Sequence, residues 1–168
     1  RISMKYAVLY QSKSGNTGVV AQVMFEALSD NDKKIYDIDK INELPKAEVY
    51  FVGFGVQNYN CSLKVIDILE KLRNCKCVLF ATCGFLPKES YKENLVGYMK
   101  TWLPDTCELL GMFLCQGKAA EGWKQQMLKQ NPTQQERLLE MFQYGEEHPD
   151  YVDLSMATEF VKEMQKRV

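Results

Sequence analysis

The sequence predicts an α/β fold in which a five-stranded parallel sheet, of strand order 2-1-3-4-5, lies between two layers of helices. Apolar runs of strand length alternate with helical patterns along the 168-residue chain, and the central runs are almost wholly apolar. Alternating strands and helices imply right-handed crossovers and a parallel sheet. Near-continuous apolar runs are typical of parallel strands that are buried on both faces. A chain of this length can bury one full hydrophobic core, so we predict a single domain over residues 4–168.

The first half of the chain contains three predicted strands and two predicted helices. Tyr6–Tyr10 is a short apolar run, and Gly18–Leu28 follows it with a helical pattern. Lys34–Ile38 predicts a second short strand. Val49–Gly55 is a nearly unbroken apolar run, which predicts the central strand. Leu63–Arg73 repeats apolar residues at helical spacing and predicts the second helix.

The second half supplies the last two strands and the helix between them. Cys77–Thr82 and Glu108–Cys115 are apolar runs of strand length, and Lys88–Trp102 is predicted to be helical. In the order 2-1-3-4-5 the direction of winding reverses between the first and third strands. Ligands bind at such a reversal, beyond the carboxyl ends of the strands. The topology therefore predicts a binding site beside the loop that follows Tyr10.

Beyond the fifth strand the chain is longer than the single helix that this architecture requires. Glu121–Lys129 has a helical pattern, and Thr133 and Glu136 have the spacing of a capping box for another helix. A final helix is predicted over Tyr151–Lys166. Its expected apolar stripe consists of Val152, Met156, Phe160 and Met164. We interpret residues 116–147 as a helical insertion, which either covers the sheet edge or reaches the loop after the fourth strand to build a ligand pocket.

Composition and charge exclude several classes of protein. The net charge is −1 at pH 7 without a basic stripe, so nucleic-acid binding is not expected. No apolar run approaches the roughly 20 residues that span a bilayer, so no membrane contact is expected. No signal peptide is visible, and we therefore expect a cytoplasmic protein. Residues 1–3 precede Met4 and are set aside from the fold as a remnant or a trimmed start.

The cysteines and the histidine do not predict a metal centre. Six cysteines are present without a C-x-x-C pair, and the chain has one histidine. Zinc and iron–sulfur sites need clusters of these ligands, so no metal is expected. Cys77, Cys107 and Cys115 lie in or beside strand patterns and are interpreted as small core residues. His148 precedes Pro149 and is interpreted as the start of the last helix.

The loop between the first strand and the first helix is the most informative segment. It reads Ser12-Lys13-Ser14-Gly15-Asn16-Thr17. Backbone N–H groups at a helix N-terminus favour an anion, as does the helix dipole, and the hydroxyls add hydrogen bonds. The segment therefore predicts a phosphate site. The alternative is an ordinary βα turn whose polar residues only cap the helix.

Two common phosphate motifs do not match this loop. The triphosphate-binding motif G-x-x-x-x-G-K-[ST] is excluded because Asn16 and Thr17 follow Gly15 without a lysine. The dinucleotide fingerprint G-x-G-x-x-G is excluded because the turn holds one glycine. The pattern S-x-S-G-N-T instead resembles the (T/S)-x-(T/S)-G-x-T loop of flavodoxins, which holds the monoester phosphate of FMN. The resemblance covers about residues 4–115 and the final helix, and it implies a flavodoxin-like three-layer sandwich with non-covalently bound FMN.

The resemblance assigns a role to each residue of this loop. Gly15 would permit close approach of the phosphate, and Lys13 would add charge or point to solvent. The phosphate would be bound through the side chains and backbone of Ser12, Ser14, Asn16 and Thr17.

In flavodoxins the loops after the third and fourth strands hold the isoalloxazine ring between them. Here those loops are Gly55–Ser62 and Thr82–Pro87. Tyr59 and Phe85 are the aromatic candidates, which would either stack on the ring or anchor their loops on the core. Cys83 is either a reactive thiol near the flavin or inert packing. The implied flavin-binding residues are Gln57, Asn58, Tyr59, Asn60, Thr82, Cys83, Gly84 and Phe85.

Three features depart from the family pattern. Neither loop contains the Trp and Tyr pair of well-studied flavodoxins. Residues 56–61 lack the glycine that in many members allows a peptide flip beside the reduced flavin, and Asn58 or Asn60 would have to adopt positive φ instead. A net charge of −1 provides little of the electrostatic steering used by strongly acidic carriers. The chain therefore resembles a less acidic bacterial branch of flavodoxin-like proteins.

Three functions follow from these observations and stay open. The first is electron transfer, in which FMN accepts electrons from a reductase and passes them singly to a partner protein. The second is a small FMN-dependent reductase whose insertion forms a pocket for an organic substrate. The third is a non-redox interaction module, because this fold hosts unrelated functions. No catalytic residue is assigned, and the oligomeric state is left open.

Overall fold

The computed structural model describes residues 3–168, which form five strands and six α-helices, three of them after the last strand. The strands are β1 (Met4–Tyr10), β2 (Lys33–Asp37), β3 (Ala47–Gly55), β4 (Cys75–Cys83) and β5 (Cys107–Gln116). The helices are α1 (Asn16–Ala27), α2 (Leu63–Leu69), α3 (Glu89–Lys100), α4 (Glu121–Gln130), α5 (Gln135–Gly145) and α6 (Tyr151–Gln165). A 3₁₀ turn follows β2. Of the segment set aside above, Arg1 and Ile2 lie outside the described residues.

The five strands form one parallel sheet in the predicted order β2-β1-β3-β4-β5. A β-bulge interrupts β5, where the pairing steps from Cys77–Leu109 to Val78–Gly111. The winding reverses between β1 and β3, as the sequence predicted. The carboxyl ends of these two strands are therefore the expected position of a ligand.

Each face of the sheet carries its own hydrophobic cluster. Successive residues of β3 alternate between them, so that Tyr50 and Val52 pack under α2 and α3, whereas Val49 and Phe51 pack under α1 and α6. The predicted core cysteines, Cys77, Cys107 and Cys115, are all buried. Two apolar layers explain why the central strands read as unbroken apolar runs.

Gly53 and Phe80 pair across β3 and β4 at the centre of the sheet. A Cβ atom at position 53 would collide with the Phe80 ring, which is fully buried. The ring therefore occupies the space that a side chain at position 53 would need. Neighbouring positions of the two strands thus fit together only with a glycine on one side.

The predicted capping box of α5 is wrong. The helix begins at Gln135, and the preceding Gln134 makes no side-chain cap. The N–H of Gln134 donates to the carbonyl of Asn131 at 3.1 Å, which places Thr133 inside a tight turn. Thr133 therefore lies one residue too early to cap the helix, and its spacing to Glu136 has no structural role.

Two further helix predictions need correction. α2 ends at Leu69 rather than at Arg73. In α6, Val152 and Met156 are each 59% exposed and do not belong to the buried stripe. The stripe that packs on α1 and the sheet consists of Leu154, Ala157, Phe160, Val161 and Met164. Ala157 is fully buried in this stripe, so packing against α1 and the sheet, rather than apolar periodicity alone, sets the buried face of α6.

Among residues 3–168, no helix combines the length and the apolar character that crossing a bilayer requires.

Candidate functional site

The loop of residues 12–17 connects β1 to α1 at the carboxyl edge of the sheet. Gly15 adopts a φ of 92°, in the left-handed region, and a Cβ there would have nothing within 4 Å. The hydroxyl oxygen of Ser12 accepts a hydrogen bond of 3.0 Å from the N–H of Gly18. The side chain of Ser12 therefore caps α1 from a position before the helix begins. Gly15 supplies the left-handed turn that leads the backbone into the helix.

The backbone of this loop is rich in unused donors. Within residues 3–168, the N–H groups of residues 13–17 donate no hydrogen bond. Lys13, Ser14 and Gly15 are exposed, so the loop is open to solvent. Consecutive unpaired N–H groups at a helix N-terminus form an anion site, which the helix dipole strengthens. The donor set fits a phosphate monoester.

Thr17 links this loop to the end of β4. Its side chain is 2% exposed, and its hydroxyl lies 2.9 Å from the hydroxyl of Thr82, which is 5% exposed. The structure thus brings the predicted phosphate loop and the predicted loop after β4 into direct contact. A hydrogen bond from the Thr17 hydroxyl to a phosphate stays a prediction, and its N–H is among the unused donors.

The loop after β3 is a tight hairpin turn. Gln57 and Asn60 exchange two backbone hydrogen bonds of 2.7 and 2.9 Å. Asn58 and Tyr59 have φ values of 48° and 62°, which makes this a two-residue turn of type I′. The expectation of positive φ is confirmed for Asn58, whereas Tyr59 takes the second left-handed position instead of Asn60. A tyrosine in that region is strained by about 1–2 kcal/mol.

Both aromatic candidates, Tyr59 and Phe85, pack on a third residue, Tyr91, which is not among the predicted site residues. The ring centroid of Tyr91, in the first turn of α3, lies 4.6 Å from that of Tyr59 and 4.7 Å from that of Phe85. Tyr98, two turns later, lies 6.1 Å from Tyr59. The two loops therefore meet on α3 through aromatic contacts. Stacking of Tyr59 or Phe85 on a flavin stays a prediction.

Tyr91 could have been found from its spacing. It stands seven residues before Tyr98, so both tyrosines share one face of α3. Burial raises the pKa of its phenol to about 12.

The hairpin turn has a second anchor on the chain just beyond α3, because the Trp102 indole N–H donates to the Asn60 side-chain oxygen at 3.0 Å.

The insertion reaches the loop after β4, as predicted. The N–H of Gly117 donates to the carbonyl of Cys83 at 2.8 Å. A Cβ on Gly84 would lie 3.0 Å from the Trp123 ring and 3.1 Å from Ala119, so the insertion is packed on this glycine. The start of the insertion thus forms one wall of the site.

Cys83 behaves as a packing residue. Its side chain is buried, and its thiol donates to the carbonyl of Phe85 at 3.2 Å. Burial raises the pKa of the thiol to about 12, so it is protonated at neutral pH. Because the thiolate is the nucleophilic form, the reactive-thiol interpretation is not supported.

A cavity of about 130 Å³ lies between Leu86 and Pro87 of the loop after β4, the end of β5 and the start of α6. Leu86, Tyr144 and Met156, each more than half exposed, contribute to its walls. Gln116 also lines it and is 2% exposed, and neither amide atom of its side chain has a partner among residues 3–168. His148 and Asp153 also line the cavity.

His148 is held by the start of α6. Its Nδ1 lies 2.6 Å from a carboxylate oxygen of Asp153. Asp150 and Asp153 form a capping box, in which each side chain accepts from the backbone N–H of the other. The ligand atoms of these three residues lie within 4.8 Å of one another. Their mutual hydrogen bonds account for that arrangement, in agreement with a structural role for His148 at the helix start.

The chain matches proteins of one family along most of its length. A family model described as a flavodoxin domain matches residues 7–162. A curated relative from Clostridioides difficile, a flavodoxin-like domain-containing protein named BilS, is 31% identical over 96% of both chains. A second protein of that name, from Clostridium symbiosum, is 25% identical over 94% of both chains.

Solved structures show the same fold. Oxidised flavodoxin 2 from Bacillus cereus superposes with a TM-score of 0.64, over 98% of this chain and 99% of that one. A WrbA-like flavodoxin from Agrobacterium tumefaciens superposes with a TM-score of 0.58, over 97% and 96%. Both are 14% identical to this chain, so they establish its architecture and no more.

Proposed function

The chain belongs to the flavodoxin domain family, and from that membership we propose that it is an electron-transfer protein whose cofactor is FMN. One observation carries the proposal: the five consecutive N–H groups of residues 13–17 have no acceptor among residues 3–168, and they lie beside the point where the sheet reverses its winding. That donor set suits a terminal phosphate, which FMN has and riboflavin lacks. When bound, FMN supplies a group that takes up and releases electrons one or two at a time.

The chain's own residues divide the cofactor between two regions. Residues 12–17 hold the phosphate at the start of α1. The loops at residues 55–62 and 82–87 hold the ring at the neighbouring strand ends. The hydroxyls of Thr17 and Thr82 join the start of α1 to the end of β4, and this contact sets the distance between the phosphate region and the ring region.

The chemistry of these loops favours a carrier over an enzyme. Burial raises the pKa values of Cys83 and Tyr91 to about 12, so neither group is a general base at neutral pH. An acid–base catalyst needs a pKa near the working pH. Electron transfer needs no such group from the protein, only a cofactor edge close to a partner.

The surface beside the loops suits a protein partner. Tyr59, Leu63, Leu86 and Tyr98 are between 45% and 84% exposed. Exposed apolar side chains grouped around a site mark a docking surface. We propose that the partner is a redox protein that covers this surface. The six free thiols suit a reducing compartment, which supports a cytoplasmic location.

One observation favours a second candidate, a small FMN-dependent reductase. The cavity of about 130 Å³ lies against the loop after β4, and the orphan amide of Gln116 lines it. A polar group without a partner in a largely apolar cavity is a common feature of small-molecule sites.

Two measurements test the proposal. Affinities for FMN, FAD and riboflavin are compared by fluorescence quenching, and FMN is expected to bind at least tenfold more tightly than riboflavin. Equal binding of FMN and riboflavin would overturn the phosphate assignment. The FMN-loaded protein is then reduced stepwise without oxygen and mixed with cytochrome c. Rapid reoxidation supports a carrier, whereas reoxidation only by a small organic acceptor supports the reductase.

A further inference from the structure

The first residues of the insertion join the two cofactor-binding loops. The N–H of Gly117 donates to Cys83, and the side-chain amide of Asn16 donates to the carbonyl of Lys118 at 2.8 Å. A Cβ on Gly117 would lie 2.5 Å from that amide nitrogen, so the backbone at this position rests directly on Asn16. Residues 117–118 are therefore fixed against the phosphate loop.

This contact changes the role of Asn16. Its amide nitrogen donates to Lys118 and, at 3.2 Å, to the hydroxyl of Ser14. Both protons of the amide are thus used within the protein. Asn16 holds the phosphate loop and the insertion together through its side chain, and its backbone N–H is the group left for an anion.

Lys118 brings a positive charge to the same place. Its side chain is 61% exposed, and its Nζ lies 3.3 Å from a carboxylate oxygen of Glu146. Lys124 lies 2.5 Å from the other oxygen of that carboxylate and is only 12% exposed. Two ammonium groups therefore share the carboxylate of Glu146, and Lys124 also lies 3.8 Å from a carboxylate oxygen of Glu121. Lys124 is thus held by two carboxylates and Lys118 by the shared one.

Of the two lysines, Lys118 is the one free to move. Its contact with Glu146 is longer and open to water, where an ion pair contributes little. Its flexible stem starts from a backbone that Asn16 fixes. A phosphate monoester carries nearly two negative charges at neutral pH, and within the loop only Lys13 is charged.

We propose that Lys118, a residue of the insertion, binds the FMN phosphate. Asn16 and Gly117 position its backbone, and its ammonium group pairs with Glu146 until the phosphate binds. The inference rests on the proposed function, since it concerns the same phosphate. It assigns the insertion a part in cofactor selection, beyond the loop that the family shares.

The test compares FMN and riboflavin binding in charge variants. Lys118→Met is expected to weaken FMN binding three- to tenfold and to leave riboflavin binding unchanged. Glu146→Gln is expected to strengthen FMN binding about twofold, because it releases Lys118. Lys129→Met is the matched control, since Lys129 is an exposed lysine at the far end of α4. The FMN affinity of Lys118→Met is also expected to depend less on salt.

The outcomes separate this inference from the proposed function. If the wild type prefers FMN over riboflavin but Lys118→Met binds FMN as the control does, the inference about Lys118 is wrong. If Lys118→Met loses FMN and riboflavin equally, the lysine is structural and the inference is also wrong. If the wild type does not prefer FMN, the phosphate site itself is refuted. Lys118→Arg, which keeps the charge, is expected to retain most of the preference.

Discussion

The hydroxyls of Thr17 and Thr82 lie 2.9 Å apart, and both side chains are buried. This contact ties the start of α1 to the end of β4, so one hydrogen bond joins the two loops that we propose as cofactor-binding. Its geometry makes the two residues a natural pair for mutation.

Thr82→Val removes one hydroxyl and leaves the hydroxyl of Thr17 buried without its partner. We expect it to lower the free energy of unfolding by about 1–3 kcal/mol. The double variant with Thr17→Val replaces both polar groups and should cost less than the sum of the two single variants. Urea unfolding of all four proteins measures the coupling. Strictly additive effects would show that the contact contributes nothing.

Gly15→Ala places a Cβ at a φ of 92°. We expect a loss of about 1–2 kcal/mol in stability and weaker FMN binding, because the loop must turn its N–H groups away to relieve strain. Gly122→Ala is the matched control. Gly122 lies inside α4 with nothing within 4 Å of its Cβ position, so alanine there should stabilise by about 0.5–1 kcal/mol. Unchanged FMN affinity in Gly15→Ala would refute the phosphate loop.

Gln116→Met tests the orphan amide in the cavity. Methionine keeps the length of the side chain and removes two buried polar atoms that lack partners. We expect the free energy of unfolding to rise by about 1–3 kcal/mol. Thermal and urea unfolding measure the change. A clear loss of stability would mean that solvent in the cavity already satisfies the amide.

Tyr91→Ala removes the ring on which Tyr59 and Phe85 meet. We expect both FMN and riboflavin to bind more weakly, by a similar factor, because the two loops proposed to hold the isoalloxazine lose their common support on Tyr91. Tyr91→Phe keeps the ring and should bind as the wild type does. This pattern differs from that of Lys118→Met, which concerns the phosphate alone. An effect on FMN but not on riboflavin would contradict it.

Three buried thiols predict a pH dependence of stability. The pKa values of Cys61, Cys83 and Cys107 are raised from 9.0 to about 12, with burial as the main cause for Cys61 and Cys83. For Cys107 the hydrogen bond with Cys75 lowers the pKa, and the contact with Cys77 together with burial raises it by more. The unfolded chain loses these protons first as the pH rises. The contribution of these thiols to the free energy of unfolding is therefore fully present below about pH 9 and is lost between pH 9 and 12. Urea midpoints at pH 8 to 11 check this, and a constant midpoint would contradict it.

The sequence predicted those parts of the fold that depend on local pattern. The apolar runs around Phe51 and Leu79 have the length and composition of central strands, and the residues from Ser12 to Thr17 have the composition of an anion loop. The crossover rule predicted a parallel sheet, and the predicted order 2-1-3-4-5 placed the loop after β1 at the reversal of winding.

The details that the sequence did not predict depend on tertiary contacts. In α6, Val152 and Met156 form one apolar pair at helical spacing, and Ala157 and Val161 form another. Only contact with α1 decides which pair is buried. Tyr59 adopts positive φ because a two-residue turn requires it, although its side chain disfavours that conformation. The contact between Asn16 and Lys118 joins residues 102 positions apart, and no local pattern marks it.

The pair formed by Gly53 and Phe80 has a consequence for how this sheet evolves. Because the ring fills the place of the missing side chain, neither residue is free to change first: a larger residue at position 53 has no room, and a smaller one at position 80 leaves a void. We therefore expect the residues at positions 53 and 80 to covary. Relatives in which Gly53 is replaced should carry a smaller residue in place of Phe80, and lineages that keep one member should keep both.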